Sequence, residues 1–250
     1  MPANDTASRD DGVDRARWDA AHRTSGTPTL SRLKRETICA ALPDGVDNTT
    51  LWPSWPLPEV AAELHLTVGE TLVDLACGRG EIGLWIANRL DAGWVGVDPS
   101  PVGLKMAAEL AATAARSRTT VEGHFYATGL DDHQADAVLI VDAIHFAVDL
   151  ARTFREVKRV LRPGRRLVIV GPQTSNPRPA LIACGFSIER DDRTPDWRDL
   201  LGRFLARARE EADALRAELD EQSAANLLSR NIDQLTGVDH GLIAARAPSA

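Results

Sequence analysis

Cysteine is scarce in this chain: three in 250 residues, at Cys39, Cys77 and Cys184. They are odd in number, far apart and without CxxC pairing, which argues against a disulfide framework or a cysteine zinc site and fits free thiols in a reducing compartment. An excess of basic charge is missing too. The formal net charge is −7, whereas general binding to nucleic acid or a membrane surface needs a basic footprint. The one local basic cluster, Arg162, Arg165 and Arg166, flanks a turn and reads as solvated surface. No apolar run reaches the ~18–20 residues needed to span a bilayer. The first fourteen residues, MPANDTASRDDGVD, are polar and acidic, without the apolar stretch of a signal peptide. A cytoplasmic protein is therefore expected, with no nucleic-acid or membrane partner.

What is present is ordinary for a globular protein: 44% hydrophobic and 26% charged residues, and a length that allows one large domain or two small ones. Residues 1–13 read as a disordered tail. Segments near 14–22 and 29–42 read as short helices. Pro53, Pro56 and Pro58 forbid a helix until about Leu57, and a helix from Pro58 to Leu66 would begin with proline in its first turn. From residue 70 the pattern changes. Apolar runs at 71–76, 93–97, 135–141 and 167–171 read as strands. Between them, Ile82, Trp85, Ile86 and Leu90 share one helical face, as do Leu150, Phe154, Val157 and Leu161, with Asp149 placed as N-cap. Such alternation builds a parallel sheet covered by helices on both faces. Residues 196–221 read as one long amphipathic helix with Trp197, Leu201, Phe204, Ala208, Leu215 and Leu219 facing inward. A second helix is expected near 223–235, carrying Leu228, Ile232 and Leu235, and a last strand at 241–247. The helical pair thus reads as an insertion, 196–235, before the final strand.

The loop after the first strand reads Asp74-Leu-Ala-Cys-Gly78-Arg-Gly80-Glu-Ile-Gly83. Its glycines let the chain turn sharply and let a ligand approach the backbone, and the helix starting near Gly80 offers free N–H groups and a positive dipole end. By itself this spacing also satisfies the dinucleotide pattern GxGxxG. Asp98, ending the second strand, suits the hydroxyls of an adenosine ribose, whether in adenosylmethionine or NAD. Asp74 discriminates: a carboxylate at that strand end is badly placed beside a pyrophosphate and well placed near an ammonium.

The segments LVDLACGRGEIGLWIA, VGVDPSPVGLKMAAELA and EGHFYATGLDDHQADAVLIVDAIHFAVDLARTFREVKRVLRPGRRLVIVG together resemble the class I S-adenosylmethionine-dependent methyltransferases, in particular the small-molecule branch common in actinomycete natural-product pathways. The match covers about residues 57–172, and EVKRVLRPGRRLVIV is its most specific part. The resemblance implies a Rossmann-like seven-stranded sheet of order 3-2-1-4-5-7-6 with the last strand antiparallel. It also implies a helical cap or lid over 14–66 and a methyltransferase domain over 67–250. Asp74, Ala76, Gly78 and Gly80 would hold the methionine end of the cofactor, and Asp98 and Pro99 the ribose side. Phe125 would offer its N–H to the adenine. His124 stands where an acid usually accepts from the adenine amino group, Ala76 where glycine is preferred, and Arg165 replaces the second glycine of the LRPGG turn.

The fourth strand leads into Val141-Asp142-Ala143-Ile144-His145-Phe146, and ligands of doubly wound sheets lie outside the carboxyl ends of the strands. Asp142 is therefore assigned to the cofactor side. His145 is the candidate general base, since an unperturbed pKa near 6.5 suits proton removal at neutral pH. His22, His65, His133 and His240 lie in segments without a site signature and read as surface residues. The substrate wall is expected from Trp52–Trp55, the loop Gly171-Pro172-Gln173, and the C-terminal helices with Trp197 and Phe204, although at helical spacing those two aromatics also suit a core. No metal is implied, because no ligand cluster is recognisable. The expected activity is transfer of a methyl group from S-adenosylmethionine to oxygen or nitrogen of a small secondary metabolite. The alternatives are a related fold that catalyses a cyclisation or rearrangement, and a non-catalytic ligand-binding relative. Monomer and homodimer both stay open.

Overall fold

The computed structural model describes residues 14–24, 26–43, 46, 55–112, 116–174, 176–232 and 239–249. The tail at 1–13, Trp52, Pro53, Ser54 and Leu235 lie outside the described residues. In chain order the elements are α1 (Arg15–Thr24), α2 (Pro28–Glu36), α3 (Leu57–Glu63), β1 (Thr71–Leu75), α4 (Glu81–Arg89), β2 (Gly93–Asp98), α5 (Pro101–Ala111), β3 (Arg118–Glu122), β4 (Ala135–Val141), α6 (Leu150–Val160), β5 (Leu161–Pro172), α7 (Arg178–Ala183), β6 (Ser187–Arg193), α8 (Trp197–Glu210), α9 (Ala212–Glu218), α10 (Glu221–Ser229) and β7 (His240–Arg246). A single 3-10 turn, Ile144–Phe146, follows β4.

The strands form one seven-stranded sheet in the order β3-β2-β1-β4-β5-β7-β6. β1 to β5 run parallel, and β7 is antiparallel to both β5 and β6. The expected order is therefore the observed one. The central strands read as unbroken apolar runs because both faces are covered. Leu139 and Val141 of β4 pack with Trp94, Ile86, Leu57 and Phe204 on one face, while Val138 and Ile140 pack with Phe154, Val157 and Leu181 on the other. Caps set several helix starts. Asp149 accepts from the Arg152 N–H at 2.8 Å, Ser100 from the Gly103 N–H at 3.0 Å, and Asp220 from the Ser223 N–H at 2.9 Å, each contributing about 1 kcal/mol.

Several expectations need correction. β6, Ser187-Ile-Glu-Arg-Asp-Asp-Arg193, escaped the periodicity reading, because an edge strand with alternating half-buried positions carries no apolar run. The long helix at 196–221 is two helices broken at Glu211, where Arg32 of α2 and Arg207 both bind the Glu211 carboxylate. The bend keeps Leu215 buried and lets Glu218 accept from the Thr29 N–H at 2.9 Å. α2 stops at Glu36 instead of near 42, in a C-cap residue with φ −130° and ψ −95°. α3 spans Leu57–Glu63 rather than Pro58–Leu66, and α10 ends at Ser229. Leu161 leaves the helix to start β5. The arginines near 162–166 are not free surface. Arg166 is buried and binds Glu63 and Glu189, while Arg165 binds Glu70 and Asp136 and Arg162 binds Asp136. No helix among the described residues is long and apolar enough to cross a membrane.

Candidate active site

The carboxyl ends of β1, β2, β4 and β5 meet the amino-terminal end of β7 at one edge of the sheet, since β7 is antiparallel and His240 pairs with Pro172. The loop leaving β1 needs left-handed backbone at three positions: Ala76 (φ 64°), Gly78 (φ 54°) and Gly80 (φ 77°). Gly80 is the N-cap of α4 and supplies no side chain there, so the first amides of α4 have no side-chain cap from that residue. Ala76 is the exception, since a Cβ in this conformation costs about 1–2 kcal/mol. Ala76→Gly is therefore expected to stabilise the protein by up to about 1 kcal/mol, once the greater unfolded-state freedom of glycine is deducted. Thermal melts of the two proteins check this, and an unchanged or lower midpoint counts against strain at Ala76.

Three carboxylates gather around this loop. Asp74 is buried, and the indole N–H of Trp94 donates to it at 3.4 Å. Burial pushes its carboxyl up to about 7, with the negative charges of Asp98 and Glu81 adding to the rise. A Cβ at Gly83 would run into this carboxylate, which is why α4 carries glycine there. Asp98 accepts from the Gly78 N–H at 2.8 Å and the Ser100 N–H at 2.9 Å, joining the glycine loop to the start of α5. Burial raises its pKa, and the two amide bonds offset part of that rise. Glu81 pairs with Arg79 at 3.0 Å. Among the described residues no group of His, Cys, Asp and Glu could hold a metal ion.

The N-terminal helix closes this end. The His22 ring sits between Gly78 and Gly103, where a Cβ on either glycine would come within 2.9 Å of it, and its Nε2 lies 4.0 Å from Asp98. Asp19 accepts from the Val102 N–H at 3.2 Å and from the Ser100 hydroxyl. The surface assignment of His22 is thus wrong. Its signal was present in RARWDAAH, where Trp18 and His22 share one helical face four residues apart. His65 and His133 adopt left-handed backbone in turns, and His133 Nδ1 lies 2.9 Å from the Leu161 carbonyl.

Pro99 is half-buried after Asp98, and Phe125 packs against the core beneath β3 and β4. His124 departs from the expected acceptor role. The Tyr126 N–H donates to its Nδ1 at 3.3 Å, which leaves the proton of a neutral ring on Nε2. Asp142 also has left-handed backbone (φ 48°), and its N–H donates to Val170 at 2.7 Å. Gly171 accommodates it, since a Cβ there would lie 2.9 Å from the Asp142 Cα.

His145 lies in the 3-10 turn, half-buried, with its ring centre 3.9 Å from that of Phe146. Its Nδ1 is buried and has no hydrogen-bond partner among the described residues. Burial, then the charges of Arg230 and Arg17, lower its pKa to about 4. At neutral pH the ring can accept a proton, yet it is a weaker base than the unperturbed imidazole assumed from the sequence. His240 is buried, not on the surface. Trp55 donates to the Thr194 hydroxyl at 2.6 Å, which leaves that hydroxyl's proton for His240 Nδ1 at 2.7 Å. Of the expected wall, Trp197 lies 6.0 Å from the His240 ring, whereas Phe204 and Trp55 are buried in the core. The Gln173 N–H donates to Asp239 at 2.7 Å.

Residues 73–169 match the family described as "Methyltransferase domain". Over 120 residues the chain is 41% identical to an uncharacterised methyltransferase of Mycobacterium tuberculosis, covering 47% of this chain and 46% of that protein. It is 29% identical over 152 residues to a demethylmenaquinone methyltransferase of Symbiobacterium thermophilum, covering 58% and 59% of the two chains. The chain thus spans about half the length of the curated relatives it matches. Among solved structures, a phosphoethanolamine N-methyltransferase of Haemonchus contortus superposes with a TM-score of 0.70 at 18% identity, over 92% of this chain and 60% of that one. That likeness is one of fold.

Proposed function

We propose, from the match of residues 73–169 to the methyltransferase domain family, that the chain is a class I methyltransferase that transfers a methyl group from S-adenosylmethionine to oxygen or nitrogen of a small molecule. One observation carries the cofactor reading: three acidic side chains lie around the glycine loop, Asp74 buried beside the Trp94 indole, Asp98 accepting from the Gly78 N–H, and Glu81 at the start of α4. Such a set suits an ammonium and a sulfonium and opposes a pyrophosphate.

The residues present fit that group. A carboxylate has about four lone-pair sites. Asp98 commits two of them to Gly78 and Ser100, and the others are available to a pair of ribose hydroxyls. Asp74 and Glu81 hold negative charge at the methionine end, and the Phe125 N–H is the donor for adenine. The bound cofactor supplies a methyl group already activated on sulfur. The protein's task is then alignment, which can contribute up to ~7–11 kcal/mol of the barrier. The α1 helix, with Trp18, Asp19 and His22 over the crevice, excludes water from this end. His145 takes the proton that an alcohol or amine acceptor releases, and its Nδ1, without a partner in the free protein, is the atom that receives it.

Calorimetry with adenosylhomocysteine and NAD tests the reading: the first should bind and the second should not, and the reverse result would remove it. His145→Ala should lower turnover far more than cofactor affinity, with labelled cofactor and the host's metabolite extract reporting methyl incorporation. An unaffected rate removes His145 as the base.

A further inference from the structure

Helix α1 crosses the carboxyl edge of the sheet with one stripe of side chains. Arg15 pairs with Glu122 at the end of β3 at 3.5 Å. Asp19 accepts from the Val102 N–H at 3.2 Å and from the Ser100 hydroxyl, just past the end of β2. His22 lies against Gly78, in the loop that leaves β1. These three residues stand at i, i+4 and i+7, one face of a helix. The step from Arg15 to His22 covers about 10.5 Å of helix, against about 9.6 Å for two strand spacings. The helix is thus in step with the strand ends, and His22 is the side chain delivered to the glycine loop.

The imidazole fits a slot that two glycines leave open. A Cβ on Gly78 would lie 2.9 Å from the His22 ring, and a Cβ on Gly103, in the first turn of α5, would lie 2.9 Å from it and 3.1 Å from the Gly78 carbonyl. The ring is buried, with Nε2 4.0 Å from one oxygen of Asp98. That separation exceeds the ~2.7–3.2 Å of a direct hydrogen bond, yet one oxygen atom can bond to both ends of it. Burial lowers the pKa of His22, so near pH 7 the neutral ring carries one proton. Nε2, which faces the carboxylate, is the electrostatically better place for it.

We propose that His22 is a specificity-determining residue of the cofactor site, its Nε2–H donating to a ribose hydroxyl that itself donates to Asp98; this rests on the methyltransferase reading above. A hydroxyl is the group that suits such a gap, because it gives one proton to the carboxylate and accepts another from the imidazole. The ribose would then be read from two sides, by Asp98 at the end of β2 and by a residue of α1.

The test is calorimetry on wild type and His22→Phe, which keeps a flat ring in the slot and removes the N–H. The ligands are adenosylhomocysteine and its 2′-deoxy and 3′-deoxy counterparts. Adenosylhomocysteine should bind His22→Phe about two- to tenfold more weakly, the value of one neutral hydrogen bond. The counterpart that lacks the bridging hydroxyl should bind both proteins alike, while the other loses affinity as adenosylhomocysteine does. In wild type, the His22 ring resonance should shift with adenosylhomocysteine and with only one of the two deoxy ligands, a readout that needs no variant to fold. Equal losses for all three ligands mean a packing role and overturn the proposal. So do unchanged affinity, tighter binding to His22→Phe, as expected of a ring that blocks the site, and a resonance that responds alike to all three. Each of these leaves the methyltransferase reading standing, whereas absence of adenosylhomocysteine binding to wild type overturns both.

Discussion

Asp74→Asn is expected to make the cofactor-free protein more stable at pH 8 and, in the same variant, to weaken adenosylhomocysteine binding by about ten- to hundredfold, the value of one lost charge-assisted interaction. The two effects have one cause. Asp74 is enclosed by Trp94, Gly83 and the glycine loop, and burial lifts its carboxyl from 3.8 to about 7. An acid with a raised folded pKa keeps its proton in the folded state over a range where the unfolded chain has released it. Stability therefore falls as pH rises from about 4 to about 7, and stays low above that. A shift of about three units corresponds to at most about 4 kcal/mol. Asparagine is nearly isosteric, accepts the Trp94 bond through its carbonyl oxygen and carries no charge to bury. Urea unfolding at pH 5 and pH 8 should show wild type losing stability between the two and the variant losing little.

Binding runs the other way. On the proposed reading the ionised carboxylate is the form that would receive an ammonium, so cofactor affinity should decline by about tenfold per pH unit below 7. Calorimetry near pH 6 in buffers of different ionisation heat should then detect a proton released on binding. A variant that loses affinity without gaining stability, or a wild type whose affinity ignores pH, removes Asp74 from the ammonium end.

The sheet was legible in the sequence because its central strands are buried on both faces, and ADAVLIV has no other reading once turns flank it. β6 was not, since its neighbour β7 supplies the apolar surface and the edge needs charge. The break at Glu211 lies in a segment of good helix formers; Arg32, from a distant helix, marks it, and no local signal could. Around the glycine loop, Asp74, Gly78, Gly80 and Asp98 follow a spacing that backbone geometry enforces, and they do come together. His22 and His240 were misread for different reasons. His22 shares a helical face with Trp18 that the sequence shows, but the surface on which that face docks, α5, is not encoded locally. His240 was within reach of deduction: an antiparallel last strand must begin at the edge where the parallel strands end, so its first side chain belongs to the crevice. The environment of His145 was the least legible, because Arg17 and Arg230 lie more than eighty residues away on either side.

Asp98→Asn separates the scaffold from the site more sharply than an alanine would. The two oxygens of Asp98 accept from two different backbone amides, Gly78 and Ser100. Asparagine has one oxygen to offer, so in either orientation its amide group points a donor at a donor. One buried N–H loses its partner, at a cost of about 1–3 kcal/mol. Part of that cost is offset by relief of burying a charge, since the Asp98 pKa is raised by burial. The net expectation is a lower thermal midpoint, the opposite sign to Asp74→Asn. Cofactor affinity should fall further than in the Asp74 variant. The two ribose hydroxyls lose a charged acceptor worth about 1.5–3 kcal/mol per bond, and at least about a hundredfold follows from two of them. The paired signs are the discriminating result. On the proposed reading Asp74 would act on the cofactor at the expense of the fold, whereas Asp98 would serve both, because the bonds that shape the glycine loop and those that would receive the ribose come from the same carboxylate. Unchanged affinity in Asp98→Asn would move the ribose elsewhere. Lost affinity with an unchanged midpoint would mean that the loop keeps its left-handed turns without the Asp98 bonds.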